Sequence, residues 1–291
     1  MAAEEVDEPE RAPAAREDGI AIVTVAYRSL QVLPRMVASL DEPVELGIVD
    51  NSADPALADW AAARGLKVID PHENLGFGRA CNVGAAATQA PLILFLNPDA
   101  QLRHGALNAL RAAARRHRGA SAFGACLEDG GGRRSYKRHT RFAPADVPAP
   151  SAVPPTDTEV PVLSGAALMV RREAFDRIGG FDPGIFLFYE DDDLSLRLRR
   201  SAGPLVFVPS ARVLHVSGRS TPASPATIRL KGYHWQRSQM YVSRKWGLSW
   251  PRARALLSLL AATLAPKTWM SPEQRQLVAG RWEGWHADQR A

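Results

Sequence analysis

The chain has 291 residues, 46% of them hydrophobic and 23% charged, with a formal net charge of +5, the composition of a soluble globular protein able to bury a large core. Its two cysteines, Cys81 and Cys126, exclude a disulfide framework and carry no metal-ligand spacing, which predicts a reducing cytoplasm. The longest apolar stretch, residues 255–265, falls far short of the roughly 20 residues that cross a bilayer.

The first 18 residues hold seven acids against two arginines and no aromatic residue, which predicts a disordered acidic tail. They lack the basic start and apolar run of a signal peptide, so no secretion is expected. Ile20 to Ala26 is a β-branched apolar run that predicts a buried strand. Leu30, Leu33, Val37 and Leu40 follow at helical spacing. The alternation repeats, with strands over Glu45 to Val49, Leu66 to Ile69 and Pro91 to Leu96 and helices over Pro55 to Arg64 and Gly78 to Thr88. Strand and helix alternating at this pace imply βαβ units in a parallel sheet, where ligands bind beyond the carboxyl ends of the strands. Three polar clusters, Asp50-Asn51-Ser52, Asn74 to Arg79 and Asn97-Pro98-Asp99, are therefore expected to converge on one crevice.

Residues 101–129 give no element prediction. From Gly130 to Pro161 come three glycines, a basic stretch (Arg133, Arg134, Lys137, Arg138, Arg141) and six prolines, read as one long loop. Ala166 to Val170 reads as a strand and Glu173 to Ile178 as a helix. A second helix opens on the carboxylates Glu190, Asp191, Asp192 and Asp193 and runs to about Arg200. Leu205 to Val208 and Val213 to Val216 read as two strands, and everything beyond Pro225 reads as helical. From Pro204 onward 13 Lys/Arg face three acids, with six tryptophans interleaved. That mixture suits an anionic membrane surface. No recognition-helix or RNA-binding signature accompanies it, so nucleic acid is not an expected partner.

Asp99, in a turn after a buried strand, can bind Mg2+ or Mn2+ or simply close an Asx turn. Asp50 can cap the next helix or accept a hydrogen bond from a nucleobase. Gly76 and Gly78 allow a ligand to approach the backbone closely. Four adjacent carboxylates must be solvated, paired with cations or used to hold protons, and a neighbouring carboxylate is expected to raise the proton affinity of Asp191. Helical spacing sets Asp192 about 100° from Asp191, facing solvent or an arginine such as Arg197, Arg199 or Arg200.

Together the segments VTVAY, VDNSAD, ENLGFGRACNVG, LFLNPDA, SGAALMVRREAFDRIGGFDPGIFLFYEDDDLSLRLRRSAG and VLHVSGRST resemble the inverting family 2 glycosyltransferases of GT-A fold, above all their rhamnosyltransferase-like branch. The resemblance implies an α/β, Rossmann-like domain over residues 19–224, with a nucleotide-binding half to about residue 126 and an acceptor-binding half after it. A mainly helical, basic region over 225–291 would follow. It implies a dTDP- or UDP-sugar donor, a divalent metal, and a glycan, lipid-linked or small-molecule acceptor at the inner membrane face. Ala26, Tyr27, Asp50, Asn74, Gly76, Gly78, Arg79, Asn82, Asn97 and Asp99 would line the nucleotide site, and Asp99 and His215 would hold the metal. Asp191 would be the catalytic base, with Glu190 and Asp193 supporting it. Asn97 departs from the family's Asp-x-Asp metal motif and shifts weight onto His215. A sugar-1-phosphate nucleotidyltransferase would need a glycine-rich loop after the first strand, and Ala26-Tyr27-Arg28-Ser29 has none. A non-catalytic glycan- or nucleotide-binding protein is the remaining alternative, disfavoured by the presence of Asp99, Asp191 and His215 together.

Overall fold

All seven residues of β1 (Ile20–Ala26) are buried, so both faces of the sheet are covered at this strand. In the computed structural model, which describes residues 18–143, 147, 149–216 and 223–287, β1 pairs in parallel with β2 (Glu45–Asp50) and β4 (Leu92–Leu96), and β2 with β3 (Val68–Ile69). Between them run α1 (Leu33–Ala38), α2 (Pro55–Ala62) and α3 (Phe77–Ala86). The predicted acidic tail lies, up to residue 17, outside the described residues.

The second half corrects the expectation of a parallel sheet. Residues 101–129 supply most of β5 (Ala100–Leu102), then α4 (Ala106–Arg116) and β6 (Ala122–Glu128). The stretch read as one loop contains β7 (Arg134–Ser135) and β8 (Thr158–Val160). After it, β9 (Ala167–Arg171) inserts antiparallel between β4 and β6. An antiparallel neighbour needs no crossover helix, and a fully buried run looks alike in either direction. The two strands predicted after Leu205 are one, β10 (Leu205–His215), whose pairing with β6 shifts between Val208 and Arg212, where Pro209 can donate no ladder hydrogen bond. The resulting mixed sheet runs β3-β2-β1-β4-β9-β6-β10-β5.

One face of the sheet packs Leu33, Met36, Leu57, Leu107 and Leu110 from α1, α2 and α4. The other packs Ala80 and Cys81 of α3, Phe175 of α5 (Arg172–Arg177), and Leu194 and Leu198 of α6 (Glu190–Ser201). The C-terminal region folds as α7 (Pro225–Lys245), α8 (Pro251–Leu264), α9 (Pro266–Met270) and α10 (Pro272–Ala287). A Cβ on Gly280 would lie 1.9 Å from the Arg229 carbonyl oxygen, and one on Gly232 2.2 Å from that of Leu277, so α7 and α10 cross backbone to backbone. Phe142, Ile185, Leu196 and Val242 then join α7 to the start of α6. Among the described residues no helix is long and apolar enough to cross a membrane.

Candidate active site

Beyond the carboxyl ends of β1, β2 and β4 opens a cleft of about 810 Å3 that draws a wall from each half of the domain and one from the C-terminal helices. Of the residues predicted for the nucleotide site, Tyr27, Asn74, Gly76, Asn97 and Asp99 line it. Buried Asn51, to which the sequence alone assigns no role of its own, fixes this wall. Its amide donates to Asn74 Oδ1 (2.8 Å) and the Gly76 carbonyl (3.2 Å), and its Oδ1 accepts from Leu75 N (2.8 Å). Gly76 has φ +78°, and a Cβ there would meet the Phe186 carbonyl oxygen at 2.2 Å. The close approach it permits is to the Phe186 backbone, which accepts from Phe77 N at 2.8 Å and ties the two walls together.

Five predicted nucleotide contacts sit elsewhere. Asp50 accepts from Ser52 N, Ser52 Oγ and Asp54 N and so holds its own turn, while Asp54 caps α2. Gly78 packs against Phe181, and the Asn82 side chain pairs with both backbone groups of Phe181. Arg79 is half exposed, 3.8 Å from Glu73. Ala26 is buried, and its carbonyl accepts from Asn51 N at 2.7 Å.

Asp99 occupies the turn between β4 and β5, and His215 ends β10. Pairing of β5 with β10 brings His215 Nε2 to 3.4 Å from both Asp99 Oδ1 and Asn97 Nδ2. Both carboxylate oxygens of Asp99 are buried without a hydrogen-bond partner. Orphaned oxygens beside an imidazole make a donor set that fits a divalent cation. Among the described residues no three His, Cys, Asp or Glu side chains gather around a single point, so a cation here would complete its shell from water and phosphate oxygens.

The acidic run opens α6 after two consecutive residues with left-handed backbone, Phe188 and Tyr189, each at φ +68°. Such a turn is strained and must be held from outside. Here α7 holds it, Ser238 Oγ donating to the Leu187 carbonyl at 2.8 Å and Trp235 Nε1 to the Tyr189 hydroxyl. The four carboxylates then separate. Asp191 faces the cleft, its Oδ2 accepting from Lys137 Nζ (2.9 Å) and Gly165 N (3.0 Å). Asp192 is buried against the same ammonium at 2.6 Å, which corrects the expectation that it faces solvent or an arginine. The loop after β7 folds over that face of the helix and brings Lys137 with it. Asp193 is fully buried away from the cleft, bound by Arg197, Lys245 and Trp246, and anchors α6 to α7 and to the turn that ends it.

Proton affinities divide the same way. Burial alone would raise the Asp191 pKa, but the Lys137 ammonium and the Gly165 N–H outweigh it and hold the carboxyl below its ordinary range. The expected rise falls on its neighbours instead. Burial, then the Asp191 charge, pushes Glu190 up to about 8 and Asp192 to about 6. Glu190 Oε2 is buried with no partner. Lys137 itself is held charged, the two carboxylates overcoming the cost of its burial.

The mixed sheet with its cleft beyond the strand ends has the GT-A fold of the solved glycosyltransferases it aligns with. Residues 21–179 match the model of glycosyl transferase family 2, and the chain belongs to that family. It is 32% identical over 254 residues to the N-acetylglucosaminyl-diphospho-decaprenol L-rhamnosyltransferase of Mycobacterium tuberculosis, covering 75% of this chain and 82% of that one. Among solved structures, S. aureus TarS 1–349 in complex with UDP-GlcNAc aligns with a TM-score of 0.56 at 14% identity, over 94% of this chain and 92% of that one. GalNAc-T7 with UDP, GalNAc and Mn2+ aligns at 0.55 with 16% identity, over 81% of this chain and 51% of that one. At these identities the structural likenesses show the fold.

Proposed function

We propose that the chain is an inverting glycosyltransferase that moves a hexose, L-rhamnose by its likeness to the mycobacterial relative, from a dTDP- or UDP-linked donor to a hydroxyl of a lipid-linked glycan in cell-wall or polysaccharide assembly. The observation that carries this reading is one cleft holding both an ionised, positioned carboxylate, Asp191, and an orphaned one, Asp99. Residues 19–126 bind the donor, and residues 127–224 together with 225–291 form the acceptor side.

The chemistry is a single displacement. The acceptor oxygen bonds to the anomeric carbon as that carbon's bond to the diphosphate breaks, which inverts configuration, and Asp191 takes the hydroxyl proton. Asn51 and Gly76 hold the donor wall against the Phe186 turn, and the clamped Phe188–Tyr189 turn fixes where Asp191 points. Asp99 and His215 would hold a divalent cation, which when bound supplies positive charge to the leaving diphosphate. Thermal unfolding in Mn2+ against a panel of nucleotide sugars tests this. dTDP-rhamnose is expected to raise the Tm of the wild type, and Asp99→Asn to abolish the metal-dependent part of that rise while its own Tm without ligand stays near wild type. No protection and no transfer with any nucleotide sugar would refute the reading.

Contact with the inner face of the cell membrane belongs to the same proposal, and α8 supports it. This helix buries Ala255 and Leu259, ties itself to α10 through polar side chains, and still turns leucines outward. Ser258 and Thr263 accept from Arg281 and Trp282 of α10, while Leu257 and Leu264 are 66% and 75% exposed. Trp250, Trp269 and Met270 extend the apolar face, residues 246–272 contain no acid, and Arg252, Arg254 and Lys267 supply the charge that suits anionic headgroups. Vesicles with anionic phospholipid should sediment the wild type. Leu257→Glu with Leu264→Glu should stay in the supernatant with unchanged dTDP binding. Sedimentation of both proteins alike, or dimerisation through this face, would place the patch in another role.

A further inference from the structure

The end of the cleft walled by α7 and α10 carries positive charge that the described protein leaves uncompensated. Arg281 is 6% exposed, yet its guanidinium has only neutral partners, Gln236 Oε1 at 2.9 Å and Ser258 Oγ at 3.1 Å, and it stacks on the Trp235 ring. Trp235 donates to the hydroxyl of Tyr189, and Arg141 lies 5.8 Å over the Tyr189 ring from the opposite wall. Lys231 of α7 lines the same end. Among the described residues none of these three cations has a carboxylate partner, and the two guanidiniums repel each other. A buried guanidinium without a counter-ion is costly. The arrangement is one that an anion would relieve. The surfaces beside it are apolar, with Phe188, Leu230 and Leu277 lining the cleft next to Tyr189 and Trp235. Cations over an aromatic pair and bordered by leucines suit a phosphate group attached to a hydrocarbon chain, and suit an uncharged sugar poorly.

We infer that Arg141 and Lys231, backed by the buried Arg281, form an anion subsite that takes the diphosphate of a prenyl-linked acceptor, with Leu230 and Leu277 receiving the first part of its chain. This rests on the glycosyl-transfer reading only in assigning the anion to the acceptor. It gives the C-terminal helices a direct part in substrate binding, and it explains why Trp235 is at once a clamp on the turn before Asp191 and a support for Arg281. The donor diphosphate would lie apart from it, toward Asp99 and His215.

Calorimetry of farnesyl diphosphate binding to the full chain, with saturating dTDP present, tests the subsite without any turnover. Farnesyl diphosphate should bind alongside dTDP. Arg141→Gln and Lys231→Gln should each weaken it by at least about tenfold, the scale of one charge-assisted hydrogen bond, with Tm and dTDP affinity unchanged. Arg141→Lys should recover part of the loss. Displacement by dTDP would assign these cations to the donor and overturn the inference. So would inorganic pyrophosphate binding as tightly as the prenyl compound, or both Gln variants binding like wild type. Loss of sugar transfer with this binding intact would count against the proposed function and leave the subsite standing.

Discussion

Asp191→Asn is expected to lower kcat for sugar transfer by about 10²–10⁴-fold, the usual contribution of a positioned general base. The side chain is isosteric, and its oxygen can still accept from Gly165 N, so the Tm and the affinity for donor should change little. What the amide cannot do is hold a proton. The geometry makes the role specific, because Asp191 alone of the four acidic residues combines a place in the cleft with a pKa below the carboxylate range. Lys137 has two consequences here. It keeps Asp191 ionised and pins its orientation, and it also competes with the acceptor hydroxyl for Oδ2, at 2.9 Å. The acceptor must therefore deliver its proton to the remaining lone pair of Oδ1, which accepts from Asp192 N at 3.0 Å, or draw Lys137 toward Asp192, to which it is already bonded at 2.6 Å. Steady-state kinetics with the donor held saturating decides the matter. If the Asn variant keeps a tenth or more of the wild-type kcat, another group is the base, and Glu190 is the first candidate.

The first four strands and the loops after them were legible because each is a short, mainly apolar run followed by a polar cluster, uninterrupted in β4 and broken by Gly47 in β2 and Lys67 before β3. β6 was not, since Ala122, Gly124 and Ala125 give it little β-branched character and its burial comes from neighbours contributed by β9 and β10. α4 did carry a signal, Leu107, Leu110 and Ala114 at helical spacing, all buried. In the site, Asp99 could be placed because it follows the end of a buried strand, while Asp191 and His215 were assigned to the cleft through the family resemblance. Lys137 could not be placed, because its partners lie 54 and 55 residues away and only the path of the long loop brings them together. The burial of Asp192 failed for the same reason, since a helical wheel gives an angle and not what covers it. Asp50 and Arg79 show the reverse limit. A loop at a strand end points some side chains at the cleft and spends others on holding the loop in shape.

Glu190→Gln is expected to stabilise the protein at alkaline pH and to do almost nothing at pH 5. Glu190 is buried in the cleft wall with one oxygen unpartnered, and burial together with the Asp191 charge raises its pKa from 4.5 to about 8. In the unfolded chain it ionises near 4.5, so between that pH and about 8 the folded state binds the extra proton. Stability from this group is then fully present below pH 4.5 and lost as pH rises toward and through 8. A tenfold change in proton affinity between the folded and unfolded chain is worth about 1.4 kcal/mol, which makes ionising this buried carboxyl beside Asp191 a cost comparable to a sizeable part of a domain's net stability. Glutamine has nearly the same shape and no charge to gain, so the difference in Tm between variant and wild type should open progressively from about pH 5 to pH 8 and level off by pH 9. Asp192, raised to about 6 by burial and by Asp191, titrates in both proteins and cancels to first order from that difference. A Tm difference that is constant across this range, or that favours the wild type at pH 9, would mean that Glu190 is ionised in the fold near neutral pH. The cleft would then carry two adjacent negative charges facing one Lys137, and Asp191 could no longer be singled out as the ionised member of the pair.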